Sequence, residues 1–309
     1  VRLHDLKKYF DYMFDRKSFA PKRAVPKISQ AAVDTAHTIR GEGRGPSIII
    51  HGIMPRSGTV YVGELLRLHP DLYAYPLHLW ELPLLQLRDD IVRIQRKFLQ
   101  IYVHNEGKLG EGDFLPLFGA SIIAYLSARV PIEQRLLFKV PSVHYLSSFF
   151  TMFPCENLLV LVRDGRDLVQ STLRTWPQLR FSQVCWRWRR AVRMVLSVQE
   201  QMSQAEPHGY WLARYEDALV DPPGFAREAC RRFGLDESRF PYDLIDTIPV
   251  LGSSALSEQG KVQWRARERP QDFRPTGYWK EWSATKKWIF KRIAGQSLMD
   301  LGYCDDANW

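Results

Sequence analysis

From Ser47 onward, short unbroken apolar runs alternate with longer stretches whose apolar residues recur at helical spacing. Ser47–Ile53 (SIIIHGI) is a β-branched run set between Pro46 and Pro55. It shows no alternation of polar and apolar positions, which predicts a strand buried on both faces. Arg135–Val140 (RLLFKV), Leu158–Val162 (LLVLV) and Gly209–Ala213 (GYWLA) read as three further strands. Thr59–Leu68 (TVYVGELLRL) predicts a helix that stops at His69-Pro70, because a residue before proline is pushed out of helical geometry. Phe181–Met202 carries Val184, Trp188, Val192 and Val195 on one helical face. Asp221-Pro222-Pro223 has the capping and first-turn residues of a helix start, and Ser283–Leu301 reads as a final helix. Strands that alternate with helices predict an α/β fold, with a mostly parallel central sheet flanked by helices. Residues 1–45 are basic and turn-rich, with Pro21, Pro26, Gly41, Gly43 and Gly45, and read as an N-terminal arm holding a helix or two. Residues 46–309 then form one domain.

Composition leaves this picture standing. The 309 residues are 45% hydrophobic and 25% charged, enough to bury a core without disulfides. Cys155, Cys185, Cys230 and Cys304 are scattered, without CxxC pairs or histidines at ligand spacing. That pattern argues against a zinc site and against a disulfide framework, and predicts free thiols in a cytoplasmic protein. No apolar run reaches the roughly 18 residues of a membrane span. Val1–Asp5 shows no signal-peptide pattern, and an anchor upstream of Val1 is left open. The formal charge of +9 does change the picture, since it predicts an anionic ligand: nucleotide, nucleic acid, acidic membrane or acidic glycan.

Two strand-to-helix junctions could hold such an anion. In Met54-Pro55-Arg56-Ser57-Gly58-Thr59 a tight turn between strand and helix leaves several backbone N–H groups aimed at one spot. Gly58 permits close approach of the backbone, Arg56 adds a fixed charge, and Ser57 and Thr59 add hydroxyls. This is not a Walker A loop, which would place lysine where Thr59 stands. The plainer alternative is an ordinary capped βα turn. The second junction, Arg163-Asp164-Gly165-Arg166-Asp167, sits at the carboxyl end of Leu158–Val162, with Ser171 about two turns into the following helix. Ligands of open α/β sheets gather beyond the strand carboxyl ends, so two such loops suggest a ligand with phosphates at both extremities. Here the alternative is a local Arg163–Asp164 ion pair with Asp164 as N-cap.

Pro55-Arg56-Ser57-Gly58-Thr59 followed by Arg163-Asp164 and Ser171 resembles the signature pair of sulfotransferases that use 3′-phosphoadenosine 5′-phosphosulfate (PAPS). Arg214-Tyr215-Glu216-Asp217 is similar to the family's Tyr-Glu-Asp segment, and Gly277-Tyr278-Trp279-Lys280 to its late Gly-x-Trp-Lys/Arg element. Ile293–Tyr303 looks like the C-terminal helix of many bacterial members, so the likeness runs from about Ser47 to Tyr303. The resemblance implies a P-loop-like sulfotransferase architecture. In it Arg56, Ser57, Gly58 and Thr59 hold the 5′-phosphosulfate and Arg163 and Ser171 the 3′-phosphate. Tyr215 and Gly277 lie near the adenine or that phosphate, and Arg274, in a stretch with Arg265, Arg267 and Arg269 that helps cover the nucleotide, is a further candidate for the 3′-phosphate. Val60 replaces a frequent Ser or Thr and removes one hydroxyl donor. The implied reaction passes a sulfuryl group to a hydroxyl on a small molecule or carbohydrate. It involves neither a metal nor nucleic acid, and it releases adenosine 3′,5′-bisphosphate (PAP).

Such a transfer needs stabilised charge on the leaving oxygen, which suits Arg56, and a general base for the acceptor hydroxyl. Three residues are candidates. His78 comes first, since an imidazole in general suits a base close to neutral pH; Glu81 in the same segment is second, and His144, beyond the Arg135–Val140 strand, is third. The stretch Trp186-Arg187-Trp188-Arg189-Arg190 could grip an acidic acceptor or stack on a sugar. Helical spacing instead predicts Trp188 inward and Arg187, Arg189 and Arg190 on a solvated face. A magnesium-dependent P-loop phosphotransferase and a non-catalytic polyanion-binding protein are the competing readings.

Overall fold

A computed structural model describes residues 24–41, 43–205, 209–251, 266–268, 270, 275–306 and 308–309. The strands are β1 (Ile48–Gly52), β2 (Leu72–Ala74), β3 (Arg135–Val140), β4 (Asn157–Val162) and β5 (Tyr210–Arg214). They form one five-stranded sheet in the order β2-β3-β1-β4-β5, and every neighbouring pair is parallel. The helices are α1 (Gln30–Arg40), α2 (Thr59–Leu66), α3 (Arg88–Ile101), α4 (Phe114–Ser127), α5 (Phe149–Met152), α6 (Gly165–Thr175), α7 (Phe181–Ala205), α8 (Tyr215–Val220), α9 (Pro222–Phe233) and α10 (Ala284–Asp300). The expected α/β architecture is therefore present, with a sheet that is wholly parallel.

Alternate residues of each central strand enter opposite cores. Ile48 and Ile50 join Leu137, Leu159 and Leu161 under α2 and α9, through Val62, Leu65, Phe225 and Phe233. Ile49 joins Phe138, Val140, Leu158 and Val160 under α4, α6, α7 and α10, through Leu115, Leu168, Trp188 and Phe290. Both faces of β1 are thus covered, which is why its run of isoleucines needs no polar alternation.

The helix after β1 lies on one face and the helix after β4 on the other, although β1 and β4 are neighbours. A crevice opens between two such strands at their carboxyl ends. Backbone strain gathers on the same edge. The non-glycine residues with positive φ among those described are Arg56, Tyr75, Leu77, His78 and Tyr145, and all follow β1, β2 or β3. Each such residue costs of order 1–3 kcal/mol, so the surrounding contacts have to hold these loops in place.

Several boundaries differ from the sequence expectation. Ser47 lies outside β1 because its N–H goes to Glu156 Oε2 at 2.5 Å. The helix from Thr59 ends at Leu66, and Gly209 turns at φ 80 ahead of β5. β2, α3 and α4 lie in stretches where no element was expected; α4 is apolar almost throughout and so shows no period to read. In the arm, α1 packs on α4, and Arg40 forms a buried ion pair with Glu156.

Candidate functional site

The turn after β1 is built by its own residues. Gly58 sits at φ 91, and a Cβ there would lie 2.2 Å from the Tyr215 ring. Tyr215, at the start of α8, is buried against Gly58 and meets Tyr61 edge-on at 6.3 Å. The glycine is thus required by both conformation and space. Ser57 is completely buried, and its hydroxyl is occupied within the turn: it accepts the Met54 N–H at 3.0 Å and donates to the Met54 carbonyl. In this conformation it shapes the loop and does not point out as an anion donor. Thr59 is buried at the first position of α2, Pro55 is buried, and Val60 is half-buried beside them.

Arg56, at φ 76, reaches across the crevice and donates from Nε to Ser171 Oγ at 3.2 Å. Arg163 reaches back, with one guanidinium nitrogen 2.6 Å from the Arg56 carbonyl and the other 2.6 Å from the Pro275 carbonyl. Its guanidinium also lies 5.1 Å from the Tyr215 ring centre. The loops after β1 and β4 are therefore in direct contact, through Arg56–Ser171 and Arg163–Arg56. Arg163 is 6% exposed, and its buried Nε–H has no acceptor among the described residues. An anionic oxygen would satisfy that donor.

Asp164 is the N-cap of α6, as expected, and accepts the Arg166 N–H at 2.8 Å. Its ion-pair partner, however, is Arg166 at 2.7 Å, because the Arg163 guanidinium is directed at the two carbonyls. Arg166 lies against the rings of Trp279 and Trp309, 4.0 and 4.7 Å from their centres, and the two rings meet each other edge to face at 5.3 Å. The Gly277 N–H is taken by both oxygens of Asp167, at 2.8 and 2.9 Å, so this glycine tethers its segment to α6. Burial raises the Asp167 carboxyl above its ordinary range, and the Gly277 N–H works against that rise. Glu216 accepts the Asp164 N–H and the Tyr303 hydroxyl, each at 2.9 Å, and burial raises its pKa too. Arg274, Arg265 and Arg269 lie outside the described residues.

Beside the loop, β3 ends in a buried cation. Lys139 is 4% exposed, pairs with Glu81 at 3.1 Å and lies 4.6 Å from the centre of the Trp80 ring. Burial lowers its pKa, opposed by Glu81. Trp80 stacks on Tyr75 at 4.9 Å, and the Tyr75 hydroxyl donates to Glu64 of α2 at 3.0 Å. This chain of contacts links the phosphate-type loop's helix to the strained turn that carries His78. His78 itself is exposed, and His144 is buried, with its N–H on Ser142 Oγ at 3.2 Å. His51, buried in β1, donates from Nδ1 to the Ser142 carbonyl at 2.7 Å, and burial pulls its pKa down to about 4. Sequence reasoning gave Lys139 no role, although a charge at the buried carboxyl end of a strand whose residues 136–138 are all apolar was a visible signal. It placed Arg166, Asp167 and Glu216 within the two motifs but gave them no role, and their contacts with Trp279, Gly277 and Tyr303 come from much later in the chain.

Trp188 is fully buried and packs where a Cβ on Gly165 would fall, as its spacing predicted. Arg187 departs from the expected solvated face: it is half-buried, and burial lowers its pKa. Among the described residues no three His, Cys, Asp or Glu side chains cluster as a metal site, and no helix is long and apolar enough to cross a membrane.

Residues 46–239 match the sulfotransferase family. A protein-tyrosine sulfotransferase of Drosophila melanogaster is 23% identical over 209 residues, 65% of this chain and 41% of that protein's length. The chain therefore spans well under half of that curated relative. The sulfotransferase domain of the Synechococcus PCC 7002 olefin synthase is 19% identical with a TM-score of 0.52, covering 83% of this chain and 96% of the domain. A mouse sulfotransferase solved with PAP is 14% identical with a TM-score of 0.48, covering 90% of this chain and 92% of that one.

Proposed function

The chain belongs to the sulfotransferase family, and from that membership and the site geometry we propose that it transfers a sulfuryl group from PAPS to an acceptor hydroxyl. The observation that carries this reading is the convergence of the loops after β1 and β4, through Arg56–Ser171 and Arg163–Arg56, around a buried arginine donor. PAPS supplies an activated sulfuryl group on a bridging oxygen that can leave. The backbone of the 56–59 turn and Arg56 would hold its 5′-phosphosulfate, while Arg163 Nε–H and Ser171 would hold the 3′-phosphate. Tyr215 supports both by wedging between Gly58 and Arg163. Gly277 positions the covering segment through Asp167.

Arg56 and Lys139 bring the positive charge that the leaving and sulfuryl oxygens require. Glu81 is proposed as the base that takes the acceptor proton. What favours it over His78 and His144 is its ion pair with Lys139, at the carboxyl end of the strand beside β1. As the hydroxyl oxygen bonds to sulfur, its proton passes to Glu81, and the bond from sulfur to the bridging oxygen breaks to leave PAP. The acceptor on this reading is a small molecule or carbohydrate bearing a hydroxyl.

Thermal unfolding tests the proposal. At a hundredfold excess over its Kd, PAP should stabilise the fold by roughly 2.7 kcal/mol, and adenosine monophosphate by far less. Glu81→Gln should keep the PAP shift and lose sulfuryl transfer from labelled PAPS. Equal shifts from both nucleotides would sink the 3′-phosphate assignment, and near-normal turnover in the variant would remove Glu81 as base.

A further inference from the structure

α7 and α10 pack against each other on one face of the sheet, with Trp188 and Phe290 ring centres 5.8 Å apart and Phe181 5.0 Å from Trp282. Their outer sides are chemically one-sided. Arg190 and Arg193 are exposed on α7 with Arg189 half-buried beside them, and Lys286 and Arg292 are exposed on α10 with Lys291 half-buried. Neither helix has an Asp or Glu between Phe181 and Gln199 or between Ala284 and Met299; acidic residues return only at Glu200 and Asp300. None of these six cations is ion-paired among the described residues. Instead Arg189 lies 4.9 Å from the Trp186 ring centre and Lys291 the same distance from that of Trp309. The neighbouring charge of Arg193 adds to burial in lowering the Arg189 pKa, as expected of like charges crowded without a counter-ion. Two large aromatic rings stand out among the cations: Trp186 is 48% exposed and Trp288 62%.

Unneutralised cations in rows create a field that draws a polyanion, and exposed tryptophan faces offer flat apolar platforms between them. We propose that the outer face of α7 and α10 is a binding surface for a linear acidic polysaccharide, whose sulfate or carboxylate groups meet the cations and whose sugar rings stack on Trp186 and Trp288. The choice of a glycan over nucleic acid rests on the sulfuryl-transfer reading above: a carbohydrate chain offers acceptor hydroxyls as well as anions, so one ligand would account for both surfaces. None of the residues of this face is among those given a part in the chemistry proposed above.

The test measures binding of a heparin oligosaccharide by titration calorimetry across a salt series, with a single-stranded oligonucleotide of equal charge as comparator. The whole chain is used, and its PAP thermal shift is recorded in parallel. Heparin should bind more tightly than the oligonucleotide, with affinity falling as salt rises. Arg190→Glu, Arg193→Glu and Arg292→Glu together should weaken it by roughly tenfold or more. Trp288→Ala should weaken it several-fold while leaving the salt dependence as it was. All variants should keep the PAP shift, which reports both folding and the other site. Failure to bind heparin at low salt with the PAP shift intact would overturn this inference alone, and loss of the PAP shift in the unaltered chain would overturn the sulfuryl-transfer reading. Tighter binding of the oligonucleotide, abolished by the same variants, would replace the glycan with nucleic acid. Heparin binding untouched by the variants would remove it from this face.

Discussion

At the scale of single residues, Ser57 turns inward to Met54 while Arg56 turns outward to Ser171. Those directions come from φ 76 at Arg56 and from the Tyr215 ring behind Gly58, contributed from much later in the chain. His51 lies buried within the isoleucine run of β1. Its burial has a measurable consequence. In the folded protein it stays neutral down to about pH 4, whereas in the unfolded chain it gains a proton near its ordinary value of 6.5. The unfolded state then binds more protons between those limits, so the stability this residue contributes is present above 6.5 and is lost as pH falls toward 4. The full span is worth about 3 kcal/mol. Asp167 and Glu216 act in the other direction, because their raised carboxyls take up protons first in the native state. The comparison must therefore be between wild type and His51→Asn. The difference in their denaturant stabilities should close progressively from pH 6.5 to 4, and parallel pH curves would show that His51 is not held neutral.

At the scale of elements, α6 governs how the site is assembled. One side of it carries Asp167, Gln170 and Arg174, a helical row reached in turn by the Gly277 N–H, by Trp282 Nε1 at 2.7 Å and by the Tyr278 ring at 4.2 Å. Arg163, just before α6, extends this row to the Pro275 carbonyl. The segment 275–282 is thus tied along α6, and the chain's last residues fasten the arrangement from behind. Tyr303 donates to Glu216, Arg166 rests against the rings of Trp279 and Trp309, and the Arg214 guanidinium donates to the Leu301 carbonyl at 2.7 Å. The motif residues were visible in sequence, but this fastening was not, since it joins stretches 87 or more residues apart. Removing one of the two rings that Arg166 rests on should loosen the cover without touching the reacting groups. Trp309→Ala should cost about 1 kcal/mol of stability. It should also raise the KM for PAPS several-fold with kcat nearly unchanged, and Trp309→Phe should restore most of both. A fall in kcat with KM unchanged would mean that the tail serves the chemistry directly, against the positioning role argued for it.

For the whole molecule, strands surrounded on both faces were legible because continuous apolar runs have few other uses; β1, β3, β4 and β5 all fell within a residue of expectation at each end. Sheet order was not legible, since it is decided by which helices cover which face, and the three-residue β2 carries too little pattern to read. The same limit applies to the division at residue 45. Composition separates a basic arm from the rest, whereas packing places α1 of that arm on α4. Arg40, the last residue of α1, pairs with Glu156 ahead of β4, with side chains only 6% and 1% exposed, and Glu156 also accepts the Ser47 N–H that leads into β1. This contact joins the arm to the two strands that bear the site. If α1 belongs to the same cooperative unit, Arg40→Met leaves a buried carboxylate without its cation and should cost about 3–5 kcal/mol, a large part of a typical domain's stability. Adding Glu156→Gln should recover most of that loss, because the amide oxygen still accepts from Ser47 while no charge remains to be buried. Urea unfolding measures both variants: the midpoint should fall for the single change and return for the double, with the slope unchanged. A single variant within about 0.5 kcal/mol of wild type would place α1 outside the unit that folds around the sheet.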